Sequence, residues 1–244
     1  MDKSLIKTLL IGTSIIIACV ILGGAYNYKY KTANTISVTG LAEKDFSSDL
    51  VVWSASFNRF NPELKAAYAS LKQDEEAIRK YLVSKGIKNV EIVFSSVNMS
   101  KEFNRTYDER GNEISATFSG YTLSENVRVE SSEIDRVEKL SREVTELLEK
   151  GIELNSSAPE YYYTRLNELK IDLLARASAD AKKRAETIAN NSGSSLGSIK
   201  DATMGVFQIT GKNTNEDYSY GGVFNTSSRN KTASITLKVN YLIK

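Results

Sequence analysis

Three aromatic side chains, Tyr218, Tyr220 and Phe224, stand close together in the polar stretch GKNTNEDYSYGGVFNTSSRN (residues 211–230), around a Gly-Gly pair. Rings on a polar segment with little apolar sequence to bury them suit contact with a partner, and a disordered tether is the other reading. They are the one set of candidate site residues. The chain has no histidine, so the commonest general base and metal ligand is missing. Its single cysteine, Cys19, lies in an apolar run, which leaves no intrachain disulfide and no thiolate metal cluster. There is no G-x-S-x-G string, no S-x-x-K set with its companions and no phosphate-binding glycine loop. We therefore assign no catalytic, cofactor-binding or metal-ligating residue and expect no cofactor. Asp74-Glu75-Glu76 falls on consecutive helical positions that point in different directions, so it reads as a solvated face. The tyrosines 161–163 and the lone Trp53 read as packing residues on strands. With 32 basic against 30 acidic residues and no basic run, nucleic acid is not an expected partner.

The elements that would position these residues follow from periodicity. Thr35–Phe60 reads as two strands, with Val51, Trp53, Ala55 and Phe57 on one face of the second. Asn61-Pro62-Glu63 reads as a helix start with a capping Asn and Pro at its first position. The stripe Leu64, Ala67, Tyr68, Leu71, Ile78 and Leu82 follows, and Gly86 ends it. Strands at 90–103 and 114–129 flank a polar turn. Ser132 with Asp135 reads as a capping box opening a second helix, with Ile134, Val137, Leu140, Val144, Leu147 and Leu148 buried and Gly151 at its end. Both helices close on Lys-Gly-Ile, at 85–87 and 150–152, which hints at a repeated helix-Gly-strand unit. A strand at 152–164 carries Pro159 at an edge or bulge. The longest amphipathic run, 166–197, puts Leu166, Leu173, Leu174, Ala177, Ala181, Ala185 and Ile188 on one face, with Gly193 as its C′ residue. Its alanine half predicts the closest approach to a neighbour. Strands at 198–210 and 232–243 close the chain. The expected fold is α+β: mixed or antiparallel sheets packed with three helices, in the order β-β-α-β-β-α-β-α-β-β, behind one N-terminal transmembrane helix.

Residues 1–31 read as a membrane segment. Thr8–Ala25 is free of charge, tyrosines at 26, 28 and 30 form a collar, and lysines 3, 7, 29 and 31 flank the run. The length of the apolar run favours a retained anchor. A signal cleaved after Gly23-Gly24-Ala25 and a lipobox-like Ile16-Ile17-Ala18-Cys19 are the competing readings. The short leading tail places the N-terminus in the cytoplasm and residues 32–244 outside.

The order of elements and several strings resemble the SIMPL-domain family of bacterial envelope proteins. ISVTGLAEKDFSSDLVVWSASF is similar to the family's opening V-s-G-x-G-x₅-P-D pattern, with Ser48 where the family usually has proline before Asp49. SGYTLSENVRVE resembles its central strand, ARASADAKKRAETIANNSGSSLG its alanine-rich helix, and ASITLKVNYLI its last strand. The resemblance implies one extracytoplasmic α+β domain, often self-assembling. Family members are linked to envelope integrity and oxidative-stress tolerance, without an accepted reaction, and no catalytic residues carry over. The expected function is that of a membrane-anchored, non-enzymatic domain of the bacterial inner membrane, facing the periplasm or cell exterior. It would form homo-oligomers or bind an envelope protein. The alternatives are an envelope hydrolase, or a small-ligand module using the aromatic loop.

Overall fold

A computed structural model of the chain describes residues 3–31 and 34–244, with side chains at 11–28 and from 34 onward. Helix α1 (Lys3–Lys31) is 29 residues long, about 44 Å at 1.5 Å per residue. Its stretch Ile11–Tyr28 is apolar on every side, and none of it is buried against the rest of the chain. It is long and apolar enough to cross a bilayer, whose hydrocarbon core is about 30 Å thick. Lysines 3, 7, 29 and 31 and Tyr30, expected to flank the span, lie outside the residues whose side chains are described.

Beyond α1 the chain builds two sheets, each with its own core. Strand β1 (Thr35–Ser47) belongs to the first. The chain then passes Ser48-Asp49 into β2 (Leu50–Asn61), α2 (Leu64–Ser84), β3 (Ile92–Phe94), β4 (Asn98–Tyr107) and β5 (Glu113–Ser131). Helix α3 (Ile134–Glu143), a 3₁₀ segment (Val144–Lys150), β6 (Leu154–Ser156) and β7 (Glu160–Tyr162) complete this middle part. Helix α4 (Leu166–Asn191), β8 (Leu196–Met204), β9 (Gln208–Gly211) and β10 (Asn230–Ile243) return to the first sheet. Its order is β1-β10-β8, with β9 also on β10; the second runs β3-β5-β2-β6, with β4 on β5 and β7 on β2. All these pairings are antiparallel.

The second sheet has a recognisable logic. Counting only β2-α2-β3-β5-α3-β6, a β-α-β unit occurs twice, and the outer strands of the two units lie at opposite edges of the sheet. This is the split βαβ, or ferredoxin-like, arrangement. It gives physical content to the two Lys-Gly-Ile strings. Gly86 (φ 90°) and Gly151 (φ 72°) are left-handed. In each string the following isoleucine donates its N–H to a leucine carbonyl five residues back, Ile87 to Leu82 and Ile152 to Leu147, both 3.1 Å. Each is a Schellman cap sealed by the buried pair that makes it. Gly193 (φ 70°) closes α4 by the same bond, Ser194 N–H to Ala189 O.

The structure differs from the sequence reading at particular places. Among the described residues there are four α-helices, α1 included, and the expected unbroken second helix changes to 3₁₀ geometry at Val144. Residues i and i+3 eclipse in a 3₁₀ turn, so Val144 and Leu147 both stay buried while Leu148 turns out to solvent. Asn61 does not cap α2. It ends β2 and its side-chain oxygen accepts the Glu63 N–H at 2.9 Å, while Glu63 holds the N-cap position. The capping box at Ser132 is not made either: Ser131 Oγ accepts the Glu133 N–H, and Asp135 is drawn to Arg229. On α2, Leu64 and Tyr68 are exposed, and Asp74 and Tyr81 take inward places. Asp74 is thus not part of a solvated face. Arg59, which also donates to Gly151 O, pairs with it and closes the core's edge. Glu75 and Glu76 do pair along the helix surface, with Lys72, Arg79 and Lys80.

Helix α4 covers the first sheet with a stripe repeating every four residues: Leu169, Leu173, Ala177, Ala181, Ala185 and Ala189. Leu174 and Ile188, expected on that face, are exposed instead. The close approach expected of the alanines is real, and its partner is Gly40 in β1. A Cβ there would stand 2.7 Å from Ala181 N and 2.8 Å from Ala181 Cβ, so strand and helix fit only without one.

Candidate functional site

Strands β9 and β10 are joined by residues 212–229, which hold Tyr218, Tyr220 and Phe224. This segment is knitted to the sheet rather than free. Ile209 N–H donates to Val223 O at 2.7 Å, and Asn225 N–H returns to Ile209 O at 2.9 Å. The Gln208 amide donates to Ser219 O and accepts from Val223 N–H. Glu216 accepts from Gly211 N–H and from the Asn225 side-chain amide. Beneath them Lys231, 2% exposed, donates to Asn225 O. Its burial pushes the ammonium pKa down to about 8. The loop's own buried Asn225 thus covers the buried Lys231, whose hydrogen bond lasts only while the loop stays in place.

On that base the three rings part company. Phe224 leans on Tyr162, ring centres 6.4 Å apart. Tyr218 is 65% exposed and Tyr220 fully so. Both line a cavity of about 740 Å³ over the outer face of the first sheet, with Leu41 and Glu43 of β1 and Ser234, Ile235 and Thr236 of β10 among its walls.

A second exposed apolar surface carried no signal in the sequence. No residue of β4 is buried, and β5 is exposed from Glu113 to Phe118. Together they form an arm reaching past the end of β2, which stops at Asn61 opposite Tyr121. At its root Gly120 lies so close to Phe60 that a Cβ would meet the ring at 2.8 Å. The register slips there, between Glu102 and Phe103, as a bulge requires. At its tip the Asp108 carboxylate accepts from Arg110 N–H and Asn112 N–H, both 2.8 Å, and these bonds hold its pKa below the usual range. Phe103 faces Phe118 across the ladder at 5.8 Å, and Phe118 meets Tyr121 at 5.1 Å. The row is half uncovered: Phe103 and Phe118 are 43% and 45% exposed. Sequence periodicity could not find it, because the pairing depends on a register that includes the bulge.

The tyrosines 161–163 do pack, as expected, and they pack at the junction of the two cores. Tyr161 sits beside the second core and Tyr163 beside the first, where it meets Phe46 at 4.9 Å. Burial, with its hydroxyl on Glu138, pushes Tyr161 up to about 12. Trp53 is fully buried, its Nε1–H donating to Ser156 Oγ at 2.9 Å. Nearby, Glu125 is buried with Lys72 at 3.4 Å, and burial followed by the charge of Glu75 raises its pKa. Among the described residues no cluster of three or more acids or cysteines is arranged to hold a metal ion.

The family model for SIMPL, described as a protein of unknown function (DUF541), matches residues 36–240. The chain belongs to the SIMPL family. No curated protein matches it. The match runs from β1 to β10 through both cores and leaves α1 outside. The fold also explains why strings so far apart in a SIMPL chain go together: Gly40, of the opening string, is the residue against which the alanine-rich helix rests. Asp49 marks the passage between the cores. Its N–H donates to Tyr162 O, and its carboxylate accepts from the N–H and hydroxyl of Thr164 at 2.7 and 2.8 Å. Ser48, where the resemblance led one to expect proline, donates its N–H to Arg229 O, but among the described residues its buried hydroxyl has no hydrogen-bond partner.

Proposed function

We propose that this SIMPL chain is a membrane-tethered, non-enzymatic domain of the bacterial cell envelope that assembles with copies of itself through the β4–β5 arm. The observation that carries this reading is the uncovered row Phe103, Phe118 and Tyr121 on a hairpin whose tip and root are both fixed. Among the described residues β4 pairs only with β5, and an unpaired edge beside exposed rings is a template for another chain. The tether supports the same reading. Strand β1 starts at Thr35, soon after α1 ends at Lys31, so the domain stays within about 13 Å of the helix end at full extension. Copies held in one membrane meet at a raised effective concentration, which favours contacts too weak to persist in solution. In this reading α1 is a retained anchor and the two cores face the periplasm or the cell exterior.

Both cores close without α1, so residues 34–244 suit a size measurement by light scattering or sedimentation. The expected result is a concentration-dependent oligomer that Phe103→Ser with Phe118→Ser converts to a monomer with an unchanged melting curve. A native domain that stays monomeric at high concentration, both free and held on vesicles, would rule the proposal out.

A further inference from the structure

The cavity beneath Tyr218 and Tyr220 is the other surface on which the fold spends exposed aromatic area. Its volume, about 740 Å³, falls within the range of small-molecule sites, roughly 300–1,000 Å³. Its apolar floor comes from Leu41 and Val206, with Thr236 and Ser234 beside them; Ile235 lends only backbone there, because its side chain is buried in the first core. The backbone that carries the rings is fixed before any ligand arrives, because Ser219 between them is pinned: its carbonyl accepts from the Gln208 amide at 2.8 Å and from Gly222 N–H at 3.0 Å.

The charge at the cavity narrows the ligand class. Glu43 is the one carboxylate in the lining, which contains no lysine or arginine. Its neighbours on β1 are used internally, Lys44 with Asp172 and Asp45 with Lys212, whereas Glu43 has no ion pair among the described residues. The nearest basic position on the same face of the ladder, Lys238, lies opposite Thr39, outside the lining. Elsewhere this chain sets its own cations over rings: Lys72 over Tyr68, Arg79 over Phe94, Lys85 over Tyr81 and Arg165 over Tyr163. Tyr218 and Tyr220 carry none. Two uncapped electron-rich faces beside an unpaired carboxylate attract a positive group. An anion would be repelled by Glu43, and a neutral ligand would cover that carboxylate without compensating its lost hydration.

We infer that the cavity formed by Tyr218, Tyr220 and Glu43 binds a small organic cation, an ammonium carried on an apolar body. The apolar part rests on Leu41 and Val206, and the charge lies between the rings and Glu43. This inference does not depend on assembly through the arm.

The test uses the full chain in nanodiscs of zwitterionic lipid, with empty discs as the control, and benzyltrimethylammonium as the probe in calorimetric titration. Its neutral isostere neopentylbenzene and the anion benzenesulfonate are run beside it. The expected result is saturable binding of the cation, weakened roughly tenfold or more in Glu43→Gln and in Tyr220→Ala. The neutral isostere should bind at least about tenfold more weakly and the anion not at all. Both substituted side chains are exposed, so unchanged melting curves confirm folded variants. No binding up to about 10 mM, equal binding of the isostere, or an unchanged affinity in either variant would overturn the inference.

Discussion

Ser48 shows how one side chain can report on a whole junction. Its N–H is used by Arg229 O, while its hydroxyl is buried with no protein group to bond. Burying a hydroxyl unbonded costs about 1–3 kcal/mol. Ser48→Ala should therefore be neutral or raise the melting temperature, whereas Ser48→Pro should gain less because it loses the bond to Arg229. A clear loss of stability in the alanine variant would show that the hydroxyl has a partner, such as a bound water. Lys231 makes a pH-dependent case. Burial holds its pKa at about 8, below the ordinary value of about 10.4. The native state thus releases this proton before the unfolded state does. Between these two values the unfolded chain binds more protons, and stability rises with pH there. Compared with Lys231→Met, which lacks the group, the native chain should gain stability on moving from pH 7 to about 9.5. A difference that is flat or falls over that window would mean the ammonium is better paired than its burial implies.

At the scale of elements, the contact of β1 with α4 makes the sharpest test. Ala181→Leu would push a branched side chain into the space that Gly40 leaves, and overpacking of this kind costs about 1–3 kcal/mol. Gly40→Ala should be at least as harmful, since its Cβ would strike helix backbone that cannot turn aside. Lys182→Leu, on the exposed face next to Glu186, should change the melting temperature little. Equal effects of the leucine variants would place the buried stripe elsewhere. The loop 212–229 is the element on which the structure most changes the expectation. Read as a polar tether or a partner-contact loop, it could be shortened at little cost to folding. Knitted to β9 and capping Lys231, it cannot. Replacement by an Asn-Gly turn should remove the Asn225 carbonyl to which Lys231 donates and cost about 1.5–3 kcal/mol, read as a lower denaturation midpoint with assembly through the arm retained.

The whole molecule interleaves a local unit with a non-local one. The ferredoxin-like unit comes from one contiguous stretch, β2 to β7, whereas the first sheet needs β1 from one end and β10 from the other. A fragment of residues 49–163 should keep its circular dichroism and melt cooperatively, while a chain without residues 34–47 should lose the first core. Both sets of ends are close at the passage: Asp49 bonds to Thr164, and Arg229 reaches Asp135 across it. The tether belongs to this scale as well. Full-length protein should stay with membranes through alkaline washing, and recovery as a soluble chain beginning near Tyr26 would identify α1 as a cleaved signal.

Composition and periodicity by themselves determined the apolar helix α1, the α+β class and the division of β2 into two faces. They also placed all three left-handed glycines that end helices, because each of these is written within a few neighbouring residues. Asp172 precedes Arg176 by four residues and Asp180 precedes Arg184 by four, a spacing that pairs charges on a helix, and both pairs form. What only the tertiary structure decided depends on which distant segments meet. Asp180 also accepts Leu41 N–H, and Asp135 leaves its own helix start for Arg229. Asp74 goes inside because Arg59 is there to meet it. The aromatic row of the arm and the cavity by Glu43 each combine residues from different strands. Strand register, bulge position and the seat of a long loop come from the sum of many contacts across the sheets. No local pattern encodes that sum, so the surfaces proposed to bind are legible only in the fold.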